Sequence, residues 1–151
     1  MSINEEVELL RAIPLFSKID ASKLKLLAFT SERLTYGDQQ ILFNQGDVGD
    51  SAHIIIDGGA SVLIETDQGR IEVAKLGKGD VVGEIAILCD VPRTATIQAK
   101  GSLTTLKVSK ETFFRLVTDF PLIAVEIMRE LAARLERTNA QLRAAMSNQG
   151  S

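Results

Sequence analysis

The segment that decides the fold runs from Gly79 to Thr96 and reads GDVVGEIAILCDVPRTAT. Gly83 comes directly before a run that is typical of a short helix. The first backbone N–H groups of a helix, here those of Ile85 and Ala86, have no partner within it. Such a terminus attracts an anion. The segment therefore predicts an anion site at a turn between strands.

Arg93 follows Glu84 by nine residues, and Pro92 restricts the backbone just before it. A guanidinium beside a helix N-terminus suits a phosphate, because it donates paired hydrogen bonds in a fixed plane. Glu84 would be a poor phosphate ligand, but its carboxylate can accept hydrogen bonds from a sugar hydroxyl. Taken alone, such a pair is more often solvated at the surface. The complete string indicates a ligand with one phosphate and a ribose.

Short β-rich runs surround this segment between residues 31 and 108. Turn sequences such as Asn44–Asp47, Asp57–Gly59 and Gly77–Asp80 separate them at close intervals. Many short strands with regular turns are typical of an antiparallel sandwich, jelly roll or barrel. The predicted strand runs are 41–43, 53–56, 61–64, 71–73, 96–98 and 105–108, with a short helical turn at 83–88.

Helices are predicted before these strands, within residues 3–30. Ser2 or Asn4 can cap the first helix, and Pro14 ends it. Asp20 is a suitable N-cap for a second, shorter helix. The chain therefore begins with a helical segment that leads into the β region.

Helices are also predicted after the strands, within residues 109–146. Ser109 can cap one helix, and Pro121 begins a long final helix. Apolar or small residues recur along that helix at spacings of three and four: Met128, Leu131, Leu135, Thr138, Leu142 and Ala145. This heptad seam favours a homodimer through the final helix, although the same stripe could fold back on its own domain.

Composition limits the class of protein. The 151 residues predict one domain over 1–146, divided into 1–30, 31–108 and 109–146, with a flexible tail at 147–151. A net charge of −3 argues against a nucleic-acid binder. One cysteine, no apolar run of membrane-spanning length and an acidic N-terminus without signal-peptide features predict a cytoplasmic protein. No catalytic constellation is found, so we expect no enzymatic activity.

The string Gly83–Ala86 followed by Pro92–Ala95 resembles the phosphate-binding cassette of cyclic nucleotide-binding domains. That family includes the catabolite activator protein, protein kinase A regulatory subunits and cyclic-nucleotide-gated channels. The resemblance covers roughly residues 5–145, including Pro14–Phe16 and the turn glycines. It implies an α+β, mostly β fold: an antiparallel β jelly-roll barrel flanked by N-terminal helices and two C-terminal helices, with a short helical phosphate-binding cassette.

The resemblance also implies a role for each cassette residue. Glu84 would bind the ribose 2′-hydroxyl, and Arg93 would pair with an exocyclic phosphate oxygen. Gly83 would support the turn and lie against the ribose. The remaining phosphate ligands would be the backbone N–H groups of Ile85, Ala86 and Ala95.

Recognition of the base is less specified. In the family a threonine at Thr94 can touch the phosphate or a guanine 2-amino group, so cyclic AMP and cyclic GMP both remain open. The alternative is a strand residue facing solvent. The final helix is similar to the dimer helix of the catabolite activator protein, where a Thr-Ser pair reaches adenine. Here that pair would be Thr138 and Asn139, although Thr138 also fits as a polar seam residue.

These features predict a cyclic nucleotide sensor that shifts its C-terminal helices on binding and regulates an unknown effector protein. We expect no cofactor beyond that ligand, no nucleic acid and no membrane insertion. The alternative is the ligand-binding part of a longer transcription regulator or cyclic-nucleotide-gated channel. A metal-dependent enzyme on the same barrel is disfavoured, because His53 is the only histidine and such sites need two or three.

Overall fold

The computed structural model describes residues 2–13 and 16–149. The chain divides into two compact units, Met1–Arg115 and Leu116–Ser151. Pro14 and Leu15 lie outside the described residues, so the predicted helix end at Pro14 stays a prediction. The single domain over residues 1–146 likewise stays a prediction.

Two helices open the first unit. Helix α1 spans Ile3–Arg11, and Ser2 caps it, because the Ser2 Oγ accepts a hydrogen bond from the Glu5 N–H at 3.2 Å. Helix α2 spans Ala21–Thr30. Asp20 occupies its N-cap position, but the side chain makes no capping hydrogen bond. The predicted cap is therefore right in position and wrong in contact, since it is the Asp20 carbonyl that accepts from the first turn.

The described residues form six strands, and every strand pair is antiparallel. The sheet order is β1-β6-β3-β4, with β2 added to β6 and β5 added to β3. This arrangement confirms the predicted antiparallel β jelly-roll barrel with accompanying helices. The strand bounds are β1 Glu32–Tyr36, β2 Ile41–Phe43, β3 Ser51–Thr66, β4 Gly69–Leu76, β5 Val81–Val82 and β6 Thr96–Ser109.

Two strands are longer than the sequence indicated. The predicted turn at Asp57–Gly59 is wrong, because β3 continues through it with a shifted register against β6. Gly58 adopts a φ of +86°, and a Cβ there would lie 2.1 Å from the Ser102 carbonyl oxygen. The glycine thus permits a β-bulge within one strand rather than a turn between two. Strand β6 similarly joins the predicted runs 96–98 and 105–108.

The barrel core fixes the strands that carry the site. A buried cluster is formed by side chains from β3, β5 and β6, with half-buried apolar residues packed around it. Truncating a fully buried member such as Ile55 or Leu103 should destabilise the fold by about 2–5 kcal/mol. The buried members are Ile55, Ala60, Val82, Ile97, Ala99 and Leu103.

Three further helices follow β5. Helix α3 spans Glu84–Cys89, and helix α4 spans Lys110–Asp119 after its predicted cap, Ser109. The Ser109 Oγ accepts from the Thr112 N–H at 3.2 Å, which confirms that cap. Helix α5 spans Pro121–Gln149, beginning at the predicted proline and continuing beyond the predicted end at residue 146. Of the described helices, none combines the length and apolar character needed to cross a bilayer.

Candidate functional site

Gly83 forms the turn between β5 and α3. Its φ of +85° lies in the left-handed region that favours glycine. Gly83 is the N-cap residue of α3 and has no side chain with which to cap the first turn, which contains Glu84, Ile85 and Ala86. Glu84 and Ala86 are buried, and Ile85 is half-buried. The first N–H groups of α3 therefore lie beside a buried carboxyl side chain.

Arg93 is the central charge of the site and is only 4% exposed. Its Nη1 donates to the Gly83 carbonyl oxygen at 2.9 Å, and its Nη2 donates to the Ser51 carbonyl oxygen at 2.7 Å. Its Nε is fully buried and has no hydrogen-bond partner among the described residues. A buried donor without a partner is unfavourable, and more so when it belongs to a charged group. The site thus has one strong donor available for an anionic ligand.

Two further groups surround the guanidinium. The Arg93 Cζ lies 4.0 Å from the centroid of the Phe43 ring, within the range of a cation–π contact. The Gly49 backbone approaches the same group, because a Cβ at that position would lie 3.3 Å from Cζ and Nε. The same Cβ would lie 2.4 Å from the Ala86 Cβ. A side chain at residue 49 would therefore displace either the guanidinium or α3.

Acidic residues near Arg93 shape its electrostatics. Burial lowers the pKa of the guanidinium from its ordinary value, and the charges of Asp50, Asp47 and Glu84 oppose this change. Arginine nevertheless remains protonated in proteins. The site therefore combines a desolvated cation with a buried carboxyl side chain, as a ligand carrying both a phosphate and hydroxyl groups requires.

The loop between β2 and β3 holds the Arg93 backbone. The Arg93 N–H donates to the Asp47 carbonyl, and the Gly46 N–H donates to the Arg93 carbonyl, both at 2.8 Å. The Gln45 N–H adds a bond to the Thr96 Oγ1 at 2.9 Å. These three bonds attach the loop to the segment that leads into β6. They therefore fix the position of the Arg93 backbone from which the side chain extends.

The predicted site residues fall into two groups. The bond from the Arg93 Nη1 to the Gly83 carbonyl brings the start of α3 and the Arg93 segment together. Thr94 lies exposed in the bend after Arg93, and Ala95 is half-buried just before β6. Thr138 and Asn139 belong to the second unit, where the Thr138 Oγ1 donates to the Arg134 carbonyl at 3.0 Å. Their part in the site stays a prediction.

Sequence reasoning missed three groups that contact Arg93: the Ser51 carbonyl, the Phe43 ring and the Gly49 backbone. A backbone acceptor leaves no signature in its residue type, so Ser51 had no detectable signal. Gly49 did have a signal, because it is one of the turn glycines that contribute to the resemblance. Phe43 was correctly predicted to lie in a strand, but its contact with Arg93 was not predictable from the sequence.

His53 is packed inside the barrel next to this site. It is 3% exposed, its Nδ1 lies 3.1 Å from the Thr105 Oγ1, and its ring centroid lies 6.0 Å from that of Phe43. Burial lowers the pKa of His53 to about 4, and the charges of Arg93 and Lys107 act in the same direction. His53 is thus a packed residue of a buried strand segment. Across residues 2–13 and 16–149, no group of three or more His, Cys, Asp or Glu side chains is placed to hold a metal ion.

Comparison with known proteins identifies the family. The model of the cyclic nucleotide-binding domain matches residues 33–120. A cAMP-dependent protein kinase regulatory subunit from Blastocladiella emersonii is 38% identical over 109 residues, which are 72% of this chain and 27% of that protein. The chain belongs to the cyclic nucleotide-binding domain family. It is a regulatory binding domain, and it spans about a quarter of the length of this curated relative.

Solved structures agree with this assignment. The Thermus thermophilus catabolite activator protein matches with a TM-score of 0.74 and 26% identity, over 85% of this chain and 61% of that one. The regulatory domain of Toxoplasma gondii PKA, crystallised with cAMP, matches with a TM-score of 0.76 over 86% of this chain and 49% of that one. Its 23% identity supports the fold alone.

Proposed function

We propose that this chain binds cyclic AMP or cyclic GMP with Arg93 as the principal phosphate ligand, and that it regulates another molecule without catalysing a reaction itself. The observation that carries this proposal is the buried Nε of Arg93, which lacks a partner among the described residues. A phosphate oxygen is the acceptor that this donor needs, because charge-assisted bonds to guanidinium are short and strong. The relative from Blastocladiella emersonii is named for dependence on cAMP, which supports the same ligand class.

The other ligand contacts follow from the start of α3. Glu84 accepts a hydrogen bond from the ribose 2′-hydroxyl, and Gly83 lies against the ribose. The buried position of Glu84 supports this role, because its carboxylate is removed from competing water. Backbone N–H groups complete the phosphate cradle at Ile85, Ala86 and Ala95.

Calorimetric titration with cyclic AMP and cyclic GMP tests this proposal. The native chain should bind at least one of them, and Arg93→Ala should weaken that binding by about 2–5 kcal/mol, as expected for loss of one partner of a buried charged pair. Arg70→Ala is the matched control, since Arg70 pairs with Glu65 at the surface. Circular dichroism checks that both variants fold. Absence of binding by the native chain would overturn the proposal.

We also propose that binding shifts the C-terminal helices relative to the barrel. The division of the chain after Arg115 supports this idea, because the final helix lies wholly in a separate compact unit. A ligand shifts such an equilibrium only through its different affinity for the two positions. Spin labels at Lys100→Cys and Arg143→Cys, in a Cys89→Ser background, should report a ligand-dependent distance. Labels at Lys100→Cys and Lys75→Cys, both in the sheet, should not; an unchanged first pair would contradict the switch.

A homodimer through α5 is the proposed assembly. The apolar side chains of Met128, Leu135 and Leu142 follow heptad spacing and are all exposed in this chain. Light scattering should give the mass of a dimer for the native chain and of a monomer for Leu135→Glu. Ala133→Glu lies away from the seam and should leave the mass unchanged. The effector protein, the cytoplasmic location and the absence of nucleic acid among the partners stay predictions.

A further inference from the structure

Phe43 occupies a position that joins the barrel core to the ligand-binding cation. It is the last residue of β2, pairs with Ile97 of β6 and packs against the buried core cluster. The Phe43 ring also contacts the Arg93 guanidinium, whose Cζ lies 4.0 Å from the ring centroid. The same ring therefore contacts both the apolar core and the charged group of the site.

The guanidinium needs such a neighbour. Its hydrogen bonds go to neutral oxygen atoms, the carbonyls of Gly83 and Ser51, which belong to different elements. Its Nε contributes no hydrogen bond to the described residues. An aromatic face attracts a cation most strongly where both are removed from water. The ring thus supplies an attraction for the charge that no hydrogen bond supplies.

The Phe43 ring also lies next to a buried side chain of strand β3. Its centroid lies 6.0 Å from that of His53, and the two planes are tilted by 41°. The Nδ1 of His53 in turn lies 3.1 Å from the Oγ1 of Thr105 on the neighbouring strand. Because His53 and Thr105 belong to the paired strands β3 and β6, the Phe43 ring is supported by the most extended part of the sheet.

We infer that Phe43 is a positioning residue for the phosphate site: the π face of its ring holds the Arg93 guanidinium in the plane in which Nε–H is available to the ligand. This inference rests on the proposed function. If Phe43 has this role, nucleotide affinity depends on the electron density of the ring at position 43. A residue that only fills the core would make affinity depend on the size of the ring and not on its electron density.

Fluorinated phenylalanines separate electron density from size, because successive fluorines weaken the negative ring face with little change in volume. We suggest placing 4-fluoro-, 3,5-difluoro- and 3,4,5-trifluorophenylalanine at position 43 through a reassigned stop codon. Calorimetry with cyclic AMP and cyclic GMP should show a stepwise loss of affinity that reaches roughly 3- to 30-fold for the trifluoro residue, the range expected for a cation–π contact. The same residues at Phe29, which is 77% exposed, should change nothing.

The free protein provides a second readout. The NMR signal of the Arg93 Nε–H should be sharp in the native chain and should broaden or shift progressively through the fluorinated series. A flat affinity series together with an unchanged Nε–H signal would overturn the inference. If the native chain bound neither nucleotide, the proposed function would fail, and the Nε–H signal would still decide whether Phe43 positions Arg93.

Discussion

Gly83 and Arg93 fit each other so closely that a single methyl group would separate them. The Arg93 Nη1 donates to the Gly83 carbonyl at 2.9 Å, and a Cβ added to Gly83 would lie 2.4 Å from that same nitrogen. The glycine therefore serves two purposes, because its φ of +85° is also one that other residues adopt rarely.

Gly83→Ala should reduce nucleotide affinity about tenfold or more, because the added methyl group must displace the guanidinium and a hydrogen bond to a charged group contributes about 1.5–3 kcal/mol. Gly69→Ala is the matched control. Its φ of +103° is also in the positive region, but nothing lies within 4 Å of an added Cβ. Both variants should lose about 1 kcal/mol or more of stability from the strained backbone, measured by urea unfolding. Equal nucleotide affinity in the two variants would contradict the close fit.

Glu84→Gln should weaken binding mainly through the sugar. The substitution keeps the shape but removes the charge, and a hydrogen bond to a charged group contributes about 1.5–3 kcal/mol. We expect the native chain to prefer the cyclic nucleotide over its 2′-deoxy analogue and the variant to lose most of that preference. The analogue should bind both proteins alike. A similar loss for both ligands would place the Glu84 effect elsewhere, by the logic of a double-mutant cycle.

Thr94→Ala tests the choice of base. Thr94 is exposed in the bend beside Arg93, so its hydroxyl is accessible to a ligand. If it contacts a guanine amino group, the variant should lose affinity for cyclic GMP by about 0.5–1.5 kcal/mol, the contribution of one hydrogen bond, and leave that for cyclic AMP unchanged. Competition titrations with both nucleotides measure this ratio. Thr138→Ala, assayed in parallel, tests whether the second unit contributes to base recognition.

Acidification should destabilise the barrel through His53. Burial lowers the pKa of this histidine to about 4 in the folded chain, whereas an unfolded histidine titrates near pH 6.5. Between these values the unfolded chain binds a proton that the folded chain does not. The free energy of unfolding should therefore fall by about 3 kcal/mol from pH 6.5 to pH 4, and this contribution should be constant above that range.

Urea unfolding of the native chain and of His53→Gln across this range isolates the effect, because glutamine does not titrate. Since the sequence has one histidine, its imidazole NMR signal also reports the pKa directly. A signal that titrates near pH 6.5 in the folded protein would rule out the buried neutral state.

Local chemistry explains which features could be predicted from the sequence. Ser2, Ser109 and Pro121 begin helices through their own side chains, so their roles can be recognised without knowledge of the fold. The cassette could be recognised for the same reason, since Gly83 and Arg93 lie within one short segment. Strand β1 was missed, because its residues are largely exposed and its pairing with β6 joins distant parts of the chain.

The contacts that complete the site are equally remote in sequence. Ser51 accepts a hydrogen bond from Arg93 across 42 positions, through a backbone atom that every residue possesses. The contact of Phe43 with Arg93 depends on which face of the sheet the Phe43 ring lies on. Strand β2 has three residues, which are too few for a clear alternation of apolar and polar side chains. Non-local packing, rather than residue type, determined what could not be predicted.

The long pairing of β3 with β6 also determines when the site comes into existence. The two strands pair from Ser51 with Ser109 to Leu63 with Thr96, so the intervening chain, which includes α3 and Arg93, must close as a loop when they meet. Loop closure over such separations slows folding. Because the Ser51 carbonyl belongs to β3, we expect its hydrogen bond with Arg93 to form only after this step. A nucleotide should therefore find no partial site on an unfolded or half-folded chain, and it should slow unfolding without accelerating folding.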